Sequence, residues 1–419
     1  MKILSARSRM PWLLVVVVVT AHSADRALTL EDAVAFSVRN APQVTARQAA
    51  IEGAQAMAIS AGRLPDPDLV VGVDNLPTNG PDAYSLGNDF MTMRKVGVMQ
   101  SFPSGRKRAA QRQRVQASVS VAESEGAQAR LAAAQSAADA WVSVHVAEVA
   151  LQSLQELNPE LALQAEAGRA AVAGDRATVY DAMSAQAAVA DLDDRILRAG
   201  RDVAVARADL RRWVGEAADR MLAPAPVFGR LPADREEILA TLHHHAESKA
   251  YDSRIAAARS EVAMASAEKH PDWSAELDYS RRGAAYSDMV SLEFRVALPL
   301  WPHYRQDPVI RERQATIRQL EADRDAALKM HVTEVTQMLE NWETARDRLE
   351  LYDRVRLPLA RQRSQLALAS FRAGRADLRS TLASYADEIE LRGAHAELLG
   401  DLGHSWAFLN YISPPGESP

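Results

Sequence analysis

From Ser104 to Leu157 the chain contains no proline and is rich in Ala, Gln, Arg and Val. Such a segment reads as one helix of about 54 residues, ~80 Å at the usual rise per residue. A helix that long cannot fold back as a single layer of a compact domain, so the chain must build something elongated. What leads into it is equally telling. "MRKVGVMQSFPSGRKRAAQRQR" (Met93–Arg114) alternates like a strand, then passes through Phe102-Pro103-Ser104-Gly105 straight into the helix.

The pattern occurs twice, at a spacing of about 200 residues. "PDLVVGVDN" (Pro67–Asn75) is echoed by "PDWSAELDY" (Pro271–Tyr279), and "VGVMQSFP" (Val96–Pro103) by "LEFRVALP" (Leu292–Pro299). Asn158-Pro159 is echoed by Leu357-Pro358, and "VAGDRATVYDAMSAQ" (Val172–Gln186) by "RAGRADLRSTLASY" (Arg372–Tyr385). Chance could produce one such match; four in the same order make duplication the better reading.

The expected plan follows. Repeat 1 (25–215) has a helix, a β-hairpin at about 67–102, and long helices at about 104–157 and 160–215. A Pro- and Ala-rich linker (216–233) leads to repeat 2 (234–412), with a helix, a hairpin at about 272–298, and helices at about 306–356 and 359–410; a tail (413–419) ends the chain. Thr29-Leu30-Glu31-Asp32 carries a cap and early acids for the first helix, which breaks near Pro42 and stops before Pro65. Asn158-Pro159 and Leu357-Pro358 are expected to be helical turnarounds, since proline removes an intrahelical bond and disfavours helix at the residue before it. Arg354 and Arg356 crowd the second one. Gly174 and Gly374 are expected as helix breaks in an equatorial belt.

The strands are two-sided. One side carries Leu69, Val71 and Val73, then Val96, Val98 and Phe102, then Trp273, Leu277 and Tyr279, then Leu292, Phe294, Val296 and Leu298. The other carries Asp68, Asp74 and Lys95, then Glu276, Asp278, Glu293 and Arg295. A small sheet on a helical core would explain this. So would a membrane barrel, because segments of about 9–10 residues cross an outer membrane when tilted. The length of the helices favours the barrel. Four strands cannot close alone, and an open edge in hydrocarbon leaves backbone groups unpaired. Three chains would supply twelve strands; two would supply eight, whose interior side chains fill. Three is the expectation, with the apolar side facing lipid and the charged side lining a lumen.

Composition narrows the rest. The chain is 47% hydrophobic but only 5% aromatic, which suits long helices. A net charge of -6 gives no reason to invoke nucleic acid. The absence of cysteine removes disulfides, thiolate metal sites and a lipid-anchor cysteine. Lys2, Arg7 and Arg9 precede "PWLLVVVVVT", and "AHSAD" follows, so 1–24 reads as a cleaved signal peptide.

The chain resembles the TolC-like outer-membrane efflux protein family over nearly all of its length after the signal. The resemblance is carried by "LTLEDAVAFSVRNAP" (Leu28–Pro42), "GRLPDPDLVVGVDNLP" (Gly62–Pro77), the strand–proline–basic-helix junction at Phe102–Arg108, Ala173-Gly174 and Ala373-Gly374, and "ARADLRRWVGE" (Ala206–Glu216). Within the family, Asp89–Pro103 looks most like the heavy-metal branch of the CzcC and CusC kind. The resemblance implies a mainly α fold with a β-barrel part: a trimeric twelve-stranded barrel above a long helical tunnel. It implies an outer-membrane channel of a Gram-negative bacterium, working with a periplasmic membrane-fusion adaptor and an inner-membrane resistance–nodulation–division pump. The implied cargo is Co, Zn and Cd, or Cu and Ag. The alternatives are a TolC-like channel for drugs or secreted proteins, or a soluble periplasmic coiled-coil adaptor or scaffold. CusC-type members are usually acylated on a cysteine that this chain lacks.

No enzyme motif is present, and no catalytic residue or cofactor is expected. Among metal-ligand types, His243-His244-His245 stands out, but consecutive residues on a helix point about 100° apart and cannot all hold one ion. A polar helical face is the better reading. The adaptor-docking end is expected at Leu157, Asn158, Pro159, Arg354, Arg356, Leu357 and Pro358.

Overall fold

The structure, a computed structural model, describes residues 26–175, 177–242 and 245–412. The expected signal peptide (1–24), the tail (413–419), His243 and His244 lie outside the described residues. The first copy comprises α1 (Leu30–Asn40), α2 (Pro42–Ser60), β1 (Asp68–Asp74), β2 (Met93–Phe102), α3 (Gly105–Gln155), α4 (Asn158–Ala173) and α5 (Val179–Val214). The second comprises α6 (Arg235–Thr241), α7 (Ala246–Ala267), β3 (Trp273–Arg281), β4 (Met289–Val296), α8 (Pro302–Leu351), α9 (Leu357–Arg372) and α10 (Leu378–Asn410). The fold is a long helical shaft with one small antiparallel sheet at its end, in the order β1-β2-β3-β4.

Local chemistry sets the boundaries. Thr29 caps α1 by accepting from the Asp32 N–H at 3.0 Å, and Ala41, extended at φ -61° and ψ 131°, separates α1 from α2. Gly62, at φ +69°, ends α2 where an added Cβ would stand 2.5 Å from the Arg108 carbonyl oxygen. Strand β1 is shorter than expected, because Asn75 turns the chain at φ 56°.

The helices do not reverse where proline suggested. Glu156 and Leu157 keep helical dihedrals, and α4 continues α3 with Pro159 in its first turn, where the missing N–H costs nothing. At Leu357-Pro358 a π-helical turn over Tyr352–Arg356 absorbs the proline, and α8 runs on into α9. The reversals lie at Gly174–Thr178 and Ala373–Asp377. Asn158 Nδ2 donates to Asp193 Oδ1 at 3.3 Å, and Ala165 packs with Ala185, pairs disposed symmetrically about Asp175. Thr381 Oγ1 donates to the Ala367 carbonyl and Ser364 Oγ to Glu388, symmetrically about Arg375. Gly374 at φ +70° and Asp175 at φ 55° supply the left-handed conformation that a reversal needs, and Thr178 and Asp377 restart the helices as N-caps. Gly174 and Gly374 therefore sit at the end of the shaft and not in an equatorial belt.

The belt is built from other residues. The segment after α5 is no slack linker. A 3-10 turn (Gly215–Asp219) leads to Leu222, which bridges in parallel to Leu28, and Phe228 is buried. Three tryptophans of the long helices hold the wrapping strands. Trp141 Nε1 donates to the Leu28 carbonyl at 3.0 Å, Trp342 Nε1 to that of Phe228 at 2.8 Å, and Trp406 Nε1 to that of Arg230 at 2.8 Å. Trp141 and Trp342 occupy corresponding places on α3 and α8, so each copy clasps its wrapping segment in the same way. Around them lies the main core, with Ala134, Ala138, Val142, Leu210, Val335, Leu339 and Leu402.

Trp141→Phe and Trp342→Phe keep the ring but leave a buried carbonyl without its donor, which should cost ~1–3 kcal/mol each. Exposed Trp301→Phe should stay within about 0.5 kcal/mol. Denaturant midpoints read by far-ultraviolet circular dichroism check this; equal midpoints for all three would show that the clasps carry no stability.

Candidate functional site

The candidate site has three parts: the two faces of the sheet, the strand-to-helix junctions, and the turns at the far end. Register fixes the faces. Leu69 pairs with Val98 and Val71 with Val96. Val96 pairs with Tyr279, Val98 with Leu277 and Phe102 with Trp273. Leu277 pairs with Leu292, Ala275 with Phe294 and Trp273 with Val296. These side chains form one apolar face, exposed except for Ala275 and Phe102, which are half-buried; Phe102 stacks on Trp273 with centroids 4.1 Å apart. Leu298 lies beyond the end of β4 and is exposed. A patch of this extent is far larger than water-soluble monomers normally expose.

The opposite face carries charge in alternating sign. Lys95 Nζ lies 3.6 Å from Asp74 and 3.5 Å from Glu276. Arg295 lies 3.0 Å from Glu276 and 2.6 Å from Glu293. Glu276 and Asp278 are buried among these partners, and Ser280 Oγ donates to Asp278 at 2.9 Å. Gly97 faces Asp278, and a Cβ there would come within 2.6 Å of the Asp278 Cβ, so this close approach requires glycine. Asp68 is exposed on β1.

At the junction, Ser104 caps α3 through the Lys107 N–H at 3.2 Å. The Ser104 N–H donates to Asp272 Oδ1 at 2.8 Å, and Lys107 Nζ bridges Asp272 at 2.6 Å and Glu268 at 2.8 Å. Partial burial would raise the Asp272 pKa, but the bonds from Lys107 and Ser104 outweigh it and hold the carboxyl below its ordinary value. Burial likewise opposes, and the two carboxylates overcome, to raise the pKa of Lys107. Arg106 lies 2.7 Å from His270. Lys107 of the basic run Arg106-Lys107-Arg108 is thus committed to carboxylates of the second copy. Sequence reasoning missed Trp301 and Tyr304. Both are exposed just past β4, with Leu300, and join Phe102 and Trp273 as an aromatic band at one end of the strands. Their spacing around Pro302, directly after a strand, was the available signal.

The far-end turns carry Asp175 and the Thr178–Asp181 capping box in one hairpin, and Gly374 and Asp377 in the other. Buried Leu378 packs against Gly168, Ala165 and Ala185, and the Arg379 guanidinium lies 5.7 Å from the Tyr180 ring centroid. Val179, Tyr180 and Met183 are exposed. Leu157, Asn158, Pro159, Arg354, Arg356, Leu357 and Pro358 lie up the shaft from these turns, separated from them by the 16-residue helices α4 and α9. That is ~24 Å. Leu157 is buried with Leu161, Leu192 and Tyr385. Arg354 pairs with Glu350 at 2.9 Å, and Arg356 lies over Tyr352. A buried cluster that the sequence did not suggest sits at this level. Glu388 accepts from Ser364 Oγ at 2.6 Å and from Arg392 at 2.8 Å, and Arg392 also reaches Glu156. Burial and Glu160 push the Tyr385 hydroxyl nearby up to about 12.

Of the histidines, His245 Nδ1 lies 3.1 Å from His331 Nε2, and His331 lies 3.8 Å from Glu247. Among the described residues no group of three or more His, Cys, Asp or Glu could hold a metal ion.

No protein-family model and no curated protein sequence matches the chain. Solved structures do. The outer membrane protein VceC from Vibrio cholerae is 18% identical with a TM-score of 0.76, over 92% of this chain and 96% of that one. The Campylobacter jejuni CmeC outer membrane channel is 11% identical with a TM-score of 0.75, over 93% and 87%. CusC, described with its transmembrane channel formation, is 14% identical with a TM-score of 0.70, over 92% of each chain. The chain shares their fold: a barrel part on a long helical tunnel.

The junction makes a pH prediction. A depressed carboxyl stabilises the fold above its unfolded pKa, ~3.9 for Asp, and that contribution is lost as pH falls through the lower folded value. Asp272→Asn should lower stability at pH 7 and leave a shallower acid limb. Guanidinium midpoints measured from pH 7 down to about 3 check this, and parallel curves for parent and variant would overturn it.

Proposed function

We propose that the chain is one protomer of a homotrimeric outer-membrane channel, the exit duct of a tripartite efflux system. The observation that carries this reading is the sheet: four strands, both edges unpaired among the described residues, and an exposed apolar face at the end of a helical shaft. Closure has to come from other copies. With four antiparallel strands per copy, β4 of one meets β1 of the next in antiparallel sense, so every seam repeats the pairing within the chain. Three copies give twelve strands with the charged face inside and lipid outside. The aromatic band then marks the inner boundary of the apolar zone.

Below it the tunnel reaches into the periplasm. From Gly105 to Ala173 the shaft spans ~100 Å. Two turns per chain make a ring of six at its tip, and the periplasmic adaptor docks there, linking the channel to an inner-membrane pump. Weak contacts repeated around a ring add through effective concentration. Heavy-metal cations are the cargo we favour. The similarity of Asp89–Pro103 to the CzcC and CusC branch supports this, as does the presence of CusC among proteins of the same fold.

Two experiments test the reading. A heat-labile trimer in detergent extracts of outer membranes, conducting in planar bilayers, is the expected result; a monomer in the periplasmic wash would overturn it. Phe294→Arg places a charge on the lipid face at a cost of ~2–4 kcal/mol at depth and should abolish the trimer. Glu293→Gln, one residue away on the lumen face, should assemble normally. Equal assembly of the two would refute the assignment of the faces.

At the tip, Val179→Asp with Met183→Asp leaves the strands untouched. The trimer should form at parental levels, while cross-linking from the turns to the adaptor and cellular metal resistance fall to those of a strain without the channel. Undiminished cross-linking would remove docking from these turns.

A further inference from the structure

Among the described residues the apolar face of the sheet carries charge at one place. Arg94 continues the row of Val96 and Val98 on β2, and Arg281 continues that of Leu277 and Tyr279 on β3. The register sets Arg94 directly opposite Arg281. Both are exposed, and neither is in an ion pair with a carboxylate among the described residues. Arg94 Nη2 donates to the Arg282 carbonyl at 3.1 Å, which fixes that guanidinium beside its neighbour. The nearby Asp288 is engaged by the Tyr279 hydroxyl. Arg282 is tied into the rim, donating to the Ser287 carbonyl at 2.8 Å.

Like charges set directly opposite on adjacent strands repel, and an apolar face is the least favourable place for them. An anion between the two guanidiniums would relieve that repulsion. Position says which anion. Arg94 is eight residues along β2 from Phe102, ~26 Å of strand and ~20 Å along the membrane normal at the usual ~40° tilt, which leaves ~5 Å of the ~25 Å apolar band for the extended arginine side chain to reach across. With the aromatic band at one boundary of the lipid, the arginine pair falls at the other, where headgroups begin. Guanidinium forks match phosphoryl oxygens in pairs of charge-assisted hydrogen bonds.

We propose that Arg94 and Arg281 together bind the phosphoryl group of a lipid headgroup in the outer leaflet. This rests on the outer-membrane reading above, because the lipid supplies both the position and the ligand. In a trimer the site occurs once per protomer, on the outer wall of the barrel.

The test uses the full-length trimer purified in dodecyl maltoside, with diphosphoryl lipid A and its dephosphorylated form as probes and native mass spectrometry as the readout. The parent should retain the diphosphoryl form more tightly by on the order of tenfold, as two charge-assisted pairs imply. In R94Q/R281Q the two forms should bind alike, while R94K/R281K should keep part of the preference. Inorganic phosphate should not displace the bound lipid. Equal retention of the two lipids by the parent would overturn the proposal, as would an undiminished preference in R94Q/R281Q. Full displacement by inorganic phosphate would overturn the lipid as the source. Should the double variant fail to assemble, R281Q alone and the headgroup comparison on the parent decide the matter. A heat-labile outer-membrane trimer without headgroup preference sinks this inference alone. A chain that never fractionates with membranes sinks the channel reading and this inference with it.

Discussion

Close packing along α3 is the constraint on which the rest of the shaft depends. The helix meets α2 and α7 in its upper half, α1 at the belt, and α5 and α10 below. No single stripe of large side chains could serve so many neighbours. The chain uses small ones instead: Ala133, Ala134, Ala137, Ala138 and Ala140 are all buried. Alanine gives little burial per residue but lets helix axes approach closely on several sides and keeps helix propensity high. The low aromatic content of the sequence is the consequence. Trp141, Trp342 and Trp406 go where something besides a helix must be held, their indole N–H groups satisfying carbonyls of the wrapping segments.

Duplication explains why the clasps match. A second copy brings its own equivalent of α3, namely α8, and the two cannot be equal in their surroundings. Helix α3 is flanked on both sides, whereas α8 packs mainly against α7 and α10 among the described residues. Its exposed Val309, Met330 and Val332 are what an outer element of an open wall shows. The sheet repeats this asymmetry. Strands β2 and β3 join the two copies through the Phe102–Trp273 stack and the Asp272–Lys107 bridge, while β1 and β4 are left as edges. Shaft and sheet are open at the same two boundaries.

Much of this was legible in the sequence, and the reason is periodicity. Alternation places a residue on a face whatever its partner, so Val96, Leu277 and Phe294 could be assigned to one side and Glu276 and Arg295 to the other before any pairing was known. The long helices announced themselves by the absence of breakers. The reversals did not, because two signals competed. Proline at Asn158-Pro159 and Leu357-Pro358 is the stronger punctuation by residue type, yet in the first turn of a helix, or beside a π turn, it interrupts little. Gly374 followed by Asp377, and Gly174 followed by Thr178, spell a helix stop and restart; read as a pair, they locate the turns. The Ser364–Glu388–Arg392 cluster was not legible. It joins residues from two helices, α9 and α10, and only Glu388 and Arg392, one helical turn apart, are close in sequence.

The two ends of the molecule are stabilised by different physics. In the belt, apolar side chains leave water and the indole donors find partners, all within one chain. The sheet is the reverse. Its backbone is paired only in the middle, its apolar face is exposed, and its one well-satisfied side is the charged one, where Lys95 and Arg295 neutralise Glu276 and its neighbours. What these ion pairs fix is the direction in which the sheet can be used. Turning the charged side outward into an apolar medium would bury Glu276 and Asp278 further and strand Glu293 and Arg295 away from water; turning it inward costs nothing. The sheet therefore carries its sidedness in its own side chains.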